Sequence, residues 1–443
     1  MSKTQDLMEK IISLCKRRGF IFPSSEIYGG LSSAYDYGPL GVELKNNIKK
    51  AWWKAMVQSR DDIVGLDASI LMSSKVWQAS GHLENFTDPL VECKSCHKRF
   101  KLDELENEKK CPECTGELTS VKRFNLMMKT FLGPVEDAKA ISYLRPETCQ
   151  GIYVDFEAIL NATRKKIPFG VAQIGKAFRN EITPKNFTYR TREFEQMEMQ
   201  YFVHPKEAGK WFDYWQAQRM NWYLGLGMKK ENIKFSPHQK HELAHYAKQG
   251  MDVVYKFPFG ENEIEGIHNR GDWDLSQHSK YSGQELKYKD DNYKEPFYPY
   301  VIETSGGIDR SALAFLLNAY EEVKGGRTTT TESNKEVEVV LRLHKDLAPC
   351  KVAVLPLSKK PELSKLAKDI YASLRPHFMA AYDDVASIGR RYRRQDEIGT
   401  PYGVTVDFES LEDKKVTVRD RDTMKQDRIF IKELVSHLQN KMA

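Results

Sequence analysis

The sequence predicts an α+β protein in two parts, a large N-terminal region built on antiparallel strands and a smaller α/β domain at the C-terminus. Three observations carry this. Segments 171–175 and 197–203 are apolar or alternating and flank a turn containing Pro184 and Asn186, so they read as paired antiparallel strands. The stretch 324–335 is polar and low in complexity, as expected of a loop near a domain junction. Beyond it, short strand-like runs and helical runs follow one another within about a hundred residues, a usual domain size.

The size and charge bound the possibilities. With 443 residues, 40% of them apolar, the chain can bury sizeable cores in two or more domains. No run approaches the roughly 20 apolar residues of a membrane span, and Met1 to Asp6 lack a signal peptide's apolar core, so a cytoplasmic location is expected. A net charge of +6 from 68 basic and 62 acidic residues is compatible with a polyanionic partner without requiring one.

Taken in order, residues 5–19 place apolar groups at helical spacing and stop at Gly19. A Gly/Ser/Tyr loop follows at 28–39; it lacks the Lys-Ser/Thr ending of a phosphate loop. A second helix is expected from Gly41 to about Arg60 and a strand over 63–72. Cys93 and Cys96, then Cys111 and Cys114 after fourteen intervening residues, form two C-x2-C knuckles that suit a four-thiolate zinc site. Four protein sulfurs leave no open position for substrate, so the expected role of Zn2+ is structural.

Residues 125–133 resemble a strand. Thr148 is placed to cap an apolar helix running from Gly151 to about Asn161, with Glu147 near its positive end. Residues 204–250 look mainly helical and aromatic, with Trp211, Phe212, Trp215 and Trp222 as core; histidines 238, 241 and 245 invite a metal reading, but without a second motif they are expected on the helix surface or at substrate. The stretch 260–272 carries several acids and an arginine around a strand, and carboxylates beside phosphates would suit Mg2+. Residues 300–310 pass from strand through a glycine turn to an apolar helix, which brings backbone and Arg310 close to an anion. Strands at 351–357, 403–408 and 415–419, a helix at 361–374 and a final helix from Asp427 to about Gln439 complete the C-terminal domain.

The hairpin carries the chemistry. Alternation on a strand points Arg179 and Glu181 together, and likewise Phe194, Gln196 and Glu198. A salt-bridged surface hairpin would satisfy the same pattern. Guanidinium forks suit phosphate oxygens and a phenyl face suits a purine, so a nucleoside triphosphate site is the sharper reading.

Taken together, Phe178-Arg179-Asn180-Glu181, Arg190-x-x-x-Phe194 and Gly306-Gly307-Ile308-Asp309-Arg310 resemble the signatures of class II aminoacyl-tRNA synthetases. Stretches 65–72, 79–89, 144–148, 301–310, 399–403 and 418–425 resemble, more narrowly, the dimeric α2-type glycyl enzymes, and they span nearly the whole chain. The resemblance implies a six- or seven-stranded antiparallel catalytic sheet flanked by helices over 1–340, with a zinc-ribbon-like insertion at 90–118 and a helical insertion at 204–250. An α/β anticodon-binding domain would occupy 345–443. It implies ATP, Mg2+, glycine and tRNA(Gly) as ligands and a homodimer with no membrane association.

The resemblance also assigns roles. Arg179 would grip the α-phosphate, Glu181 read the adenine amino group, Phe194 stack on adenine, and Arg190 and Arg310 hold the outer phosphates, with Arg179 and Arg310 the catalytic pair. Asn180, Tyr189, Glu263, Ile264, Arg270 and Gly307 complete the ATP site. Glu147, Phe194, Glu195, Gln196, Met197, Glu198, Glu303 and Ser305 would form the glycine site. One departure concerns the dimer contact: Ser73-Ser74-Lys75 stands where the class carries a proline after its first motif strand. The basic run 389–394 suits contact with tRNA or pairing with Asp396 and Glu397. A synthetase for serine, threonine or proline, and an inactive nucleic-acid-binding relative, are the alternatives.

Overall fold

The computed structural model describes residues 3–102, 105, 107–239, 241, 243–244, 246–325, 327 and 337–442. Its centre is a seven-stranded sheet: β1 (Ile63–Gly65), β2 (Phe169–Phe178), β3 (Glu193–Val203), β4 (Ile233–Pro237), β5 (Gln249–Phe257), β6 (Gly260–Gly271) and β7 (Tyr300–Gly307). In space they run β4-β5-β6-β7-β3-β2-β1. Every pairing is antiparallel except β1 on β2, which is parallel at the edge.

The expected hairpin is β2 and β3, paired from Phe169–Phe202 to Phe178–Glu193. Its length follows from its composition: one face buries Ala172, Met197, Met199 and Tyr201, while the other carries Gln173, Gln196, Glu198 and Gln200, polar groups that must find partners. Helices cover the sheet. Pro39–Trp53 buries Leu44, Ile48 and Trp52, Ala208–Gly225 buries Phe212, Trp215 and Tyr223, and Ile308–Ala319 is buried along almost its whole length. All three feed one core with Ile302, Ile267 and Met197.

Several expected elements take another form. Only Ile63–Gly65 of the 63–72 run is strand. Past it, the Ala68 N–H donates to Gln173 Oε1 at 2.5 Å and the Ala68 carbonyl accepts from Arg145 Nη1 at 2.8 Å, so side chains replace the ladder. Thr148 stands at the N-cap of Cys149–Val154 but does not cap it, because its hydroxyl donates to Glu198. The 204–250 stretch is helical only in its first half. Ile233–Pro237 is the edge strand of the main sheet, where β-branched and aromatic residues sit in register with β5. His245 lies outside the described residues, as does most of the 324–335 loop.

The C-terminal part holds a second, separate core of Val352, Val354, Leu363, Val404, Val416, Leu434 and neighbours. Its five-stranded sheet is mixed, with parallel pairs at Val352–Pro356 and antiparallel ones further on. The final helix starts at Leu434 rather than Asp427, since Gln426–Phe430 pairs as a strand and Arg428 is held by Asp407 and Asp413. The basic run is largely internal. It lies on helix Ile388–Ile398, where Arg391 and Arg393 are buried and Arg394 binds Asp383 at 2.6 Å. Asp396 pairs with Arg419 at 2.9 Å and Arg327 at 3.3 Å.

Candidate active site

One cavity opens on the polar face of the sheet where β2, β3, β6 and β7 meet. Its volume is about 170 Å³. Its two halves differ in charge.

The outer half is cationic and aromatic. Arg179 follows the last residue of β2; its Nε donates to the Pro146 carbonyl at 3.1 Å, and its guanidinium lies 5.3 Å from the ring centres of both Phe86 and Phe194. Arg310, at the start of the helix after β7, contacts Glu263 at 2.9 Å and lies 4.5 Å over the Tyr189 ring. Tyr189 is fixed in turn by its hydroxyl, which donates to the Glu263 carbonyl at 3.0 Å. Burial disfavours the Glu263 carboxylate, but Arg310 outweighs it and holds that carboxyl below its ordinary range. Glu181, Arg190 and Gly307 line the same half.

The inner half is anionic and buried. Glu147, Glu198 and Glu303 are 9%, 2% and 3% exposed, so three carboxylates share a space from which water is nearly excluded. Each has a different set of supports. Glu147 Oε1 accepts from Gln150 Nε2 and the Cys149 thiol, both at 2.9 Å, and lies 3.3 Å from His82 Nε2. Glu303 Oε2 accepts from Arg270 Nη1 at 3.0 Å and Gln200 Nε2 at 2.9 Å. Glu198 accepts from the Thr148 N–H at 3.0 Å and from its hydroxyl, with no cation in direct contact among the described residues.

The electrostatic result follows. Burial works against Glu147 and Glu303, but His82 and Arg270 respectively outweigh it, and both carboxyls are held below their ordinary range. Glu198 goes the other way: burial, then Glu303 and Glu147, push it up to about 7. Of the three carboxyls, Glu198 is the one that an incoming cation would return to its charged form.

Comparison with known proteins now has a geometry to attach to. A family model described as the tRNA synthetase class II core domain (G, H, P, S and T) matches residues 134–320, and one described as the anticodon binding domain matches 351–441. A glycine–tRNA ligase of Treponema denticola is 54% identical over 440 residues, covering 98% of this chain and 97% of that one. The chain belongs to the glycine–tRNA ligase family of class II aminoacyl-tRNA synthetases. Glycine–tRNA ligases of Streptomyces coelicolor and Thermobifida fusca are 52% and 49% identical over 99% and 100% of both chains. A prolyl-tRNA synthetase crystal structure from Cryptosporidium parvum, complexed with halofuginone and AMPPNP, superposes with a TM-score of 0.67 at 16% identity, over all of this chain and 78% of that one. At that identity the likeness concerns the fold.

Within this family fold, the cavity gathers Arg179, Glu181, Tyr189, Arg190, Phe194, Glu263, Gly307 and Arg310 with Glu147, Gln196, Glu198, Glu303 and Ser305. Other expected residues fall elsewhere. Ile264 and Met197 are fully buried core side chains; strand alternation puts Met197 on the far face, and the register shift that leaves Ile264 unpaired between Glu263 and Glu265 turns it the same way. Glu195 reaches the cavity rim, but its carboxylate is tied to Lys45 at 2.7 Å and Lys49 at 3.1 Å on helix Pro39–Trp53. Asn180 does not line the cavity; its N–H donates to the Leu126 carbonyl. Arg270 does not line it either. It is 2% exposed, forked onto Asp274 at 2.8 and 2.9 Å and bonded to Glu303, so its donors are spent supporting a carboxylate.

Sequence reading assigned no role to His82, Gln200, Tyr246 or His268, and to Thr148 only that of a helix cap. His268 could have been found, because it is the register partner of Glu303 across β6 and β7 and therefore shares its face. His82 and Tyr246 arrive from segments remote from the hairpin and carry no periodic signal.

Proposed function

We propose that this cavity ligates glycine to tRNA(Gly) in two steps, forming glycyl-adenylate from glycine and ATP with release of pyrophosphate, then transferring glycine to the terminal ribose of tRNA with release of AMP. The observation that carries the reading is the juxtaposition of an arginine-lined outer half and a three-carboxylate inner half in one cavity. The outer half takes the polyphosphate and adenine; the inner half takes the ammonium group.

Phe194 stacks on adenine, Glu181 accepts from its amino group, and Arg190 and Arg310 bind the outer phosphates. The glycine carboxylate attacks the α-phosphate in line, and charge develops on the non-bridging oxygens. Arg179, backed by a carbonyl and set against two rings, donates to those oxygens without needing to reorganise. Glu263 would hold Mg2+, which neutralises phosphate charge when bound, and would give up Arg310 to the phosphates.

In the inner half, Glu147, Glu198 and Glu303 surround the ammonium group, and Gln196 and Ser305 flank the substrate. Selectivity comes from exclusion. A side chain on the α-carbon must clash with packed walls, the easier direction of discrimination, so no editing site is required.

The wider assembly follows the same reading: a catalytic domain over 1–340, an anticodon-binding domain over 345–443, a cytoplasmic location and a homodimer. The four cysteines suit a structural Zn2+ site. Their sulfurs lie within 4.8 Å of one another, with Cys93 to Cys114 at 3.4 Å and Cys96 to Cys111 at 3.7 Å, and the N–H groups of Ser95 and Cys96 point at Cys93 Sγ. When bound, the ion cross-links a segment with little core of its own.

ATP–pyrophosphate exchange tests the activity. Glycine is expected to support exchange while alanine, serine, threonine and proline do not. Strong exchange with another amino acid but not glycine would overturn the assignment.

A further inference from the structure

At the edge of the cavity, which His268 also lines, three side chains converge from adjacent strands on the same face of the sheet. His238 follows the end of β4, Asp252 lies on β5 and His268 on β6. One ligand atom from each lies within 4.8 Å of the other two. The imidazole rings of His238 and His268 are 5.4 Å apart between centres, and His238 Nε2 is 2.9 Å from Asp252 Oδ2.

Two glycines make this convergence possible. Gly250 pairs with His268 and its carbonyl accepts from the His238 N–H, so it stands between the two histidines. A Cβ there would come within 2.7 Å of His238 Nδ1. Gly266 pairs with Asp252, and a Cβ at that position would meet His268 Cε1 at 2.7 Å and approach Asp252 Oδ1 at 3.6 Å. Side chains at either position would push the three groups apart.

The polar bookkeeping is incomplete without a further ligand. His238 Nδ1 is buried with no hydrogen-bond partner among the described residues, and His268 Nδ1 sits 3.2 Å from Glu303 Oε1 without the alignment of a hydrogen bond. Two imidazoles and a carboxylate, with Glu303 and Glu263 close by, form a donor set that a divalent cation would satisfy.

We propose that His238, Asp252 and His268 form a binding site for a divalent transition-metal ion of the zinc class, distinct from the four-cysteine cluster and from the phosphate-bound Mg2+. Imidazole nitrogen with one carboxylate oxygen favours borderline ions over Mg2+, which prefers all-oxygen shells. The side chains are 16–21% exposed, leaving room for water to complete the coordination. The ion would tie the edge strand β4 to β6 and hold His268, and through it Glu303, in place.

The test is a metal count on the full-length, tag-free protein grown with zinc. His238→Gln and His268→Gln are each expected to lower zinc by about one equivalent per chain relative to wild type, whatever the cysteines hold. A second measurement does not depend on those variants folding. In a Cys93→Ser/Cys96→Ser background, Co2+ is expected to bind stoichiometrically, with visible d–d absorption and no thiolate charge-transfer band. Equal zinc counts in wild type and both histidine variants, or no d–d band in the cysteine variant, would overturn the proposal.

Discussion

The two halves of the cavity are built in opposite ways. The arginine half is held by few bonds: Arg179 has one backbone acceptor and two rings, and Arg310 has the Glu263 carboxylate at 2.9 Å, the Tyr189 carbonyl at 3.3 Å and the Tyr189 ring. The carboxylate half is locked by buried hydrogen bonds reaching Arg270, Asp274, Gln200, Tyr153 and His82. The difference matches the ligands. A triphosphate is large and rich in charge, so a few prepositioned guanidiniums with donors to spare can hold it; a two-carbon amino acid offers one ammonium group, and only a closed cradle can select it.

The sharpest way to break that contrast is to unlock the inner half. Arg270→Met leaves Glu303 and Asp274 buried without the guanidinium they share, and should cost about 3–5 kcal/mol of stability. Denaturant unfolding reads the loss, and the glycine KM should rise with it while the ATP KM moves less. Arg179→Ala tests the outer half. It should leave stability nearly unchanged and lower glycine-dependent exchange by about 10²–10³-fold, roughly 2.7–4 kcal/mol in the transition state. If both substitutions instead lowered stability equally, the halves would not differ in construction.

Phe194→Ala is expected to act on one ligand only, weakening ATP by about 1–3 kcal/mol through lost stacking. Titration of ATP and glycine separately checks that the glycine affinity holds.

The contrast also explains what could be read in the chain. Arg179, Phe194 and Arg310 were legible because hairpin periodicity and a glycine turn mark them, and Glu147, Glu198 and Glu303 because a family pattern places them. The supports were not. His82, Tyr246 and Arg270 act through contacts between segments tens to hundreds of residues apart, and no local rule distinguishes an arginine that binds phosphate from one that holds a carboxylate. Likewise, Ile233–Pro237 is too short for its period to separate strand from helix, and only its partner β5 decides. The resemblance drew Met197 and Ile264 into the site, although strand alternation turns the first to the core and a register shift in β6 turns the second.

The smallest expected effect tests the central claim most directly. The empty pocket favours Glu198 protonated, with its carboxyl pushed up to about 7, whereas a bound ammonium favours the carboxylate. Glycine must therefore displace a proton below that pH, and its affinity should fall by up to about tenfold per pH unit below 7 and level off above. His268 titrates nearby, because Glu303 outweighs burial and raises it, so the decisive comparison is with Glu198→Gln, which removes only the carboxyl. We expect the glycine dissociation constant of the wild type to rise as pH falls from 8 to 5.5, and that of Glu198→Gln to be weaker throughout and flatter. A wild-type affinity independent of pH, or the same slope in both proteins, would contradict the assignment of Glu198 to the ammonium cradle.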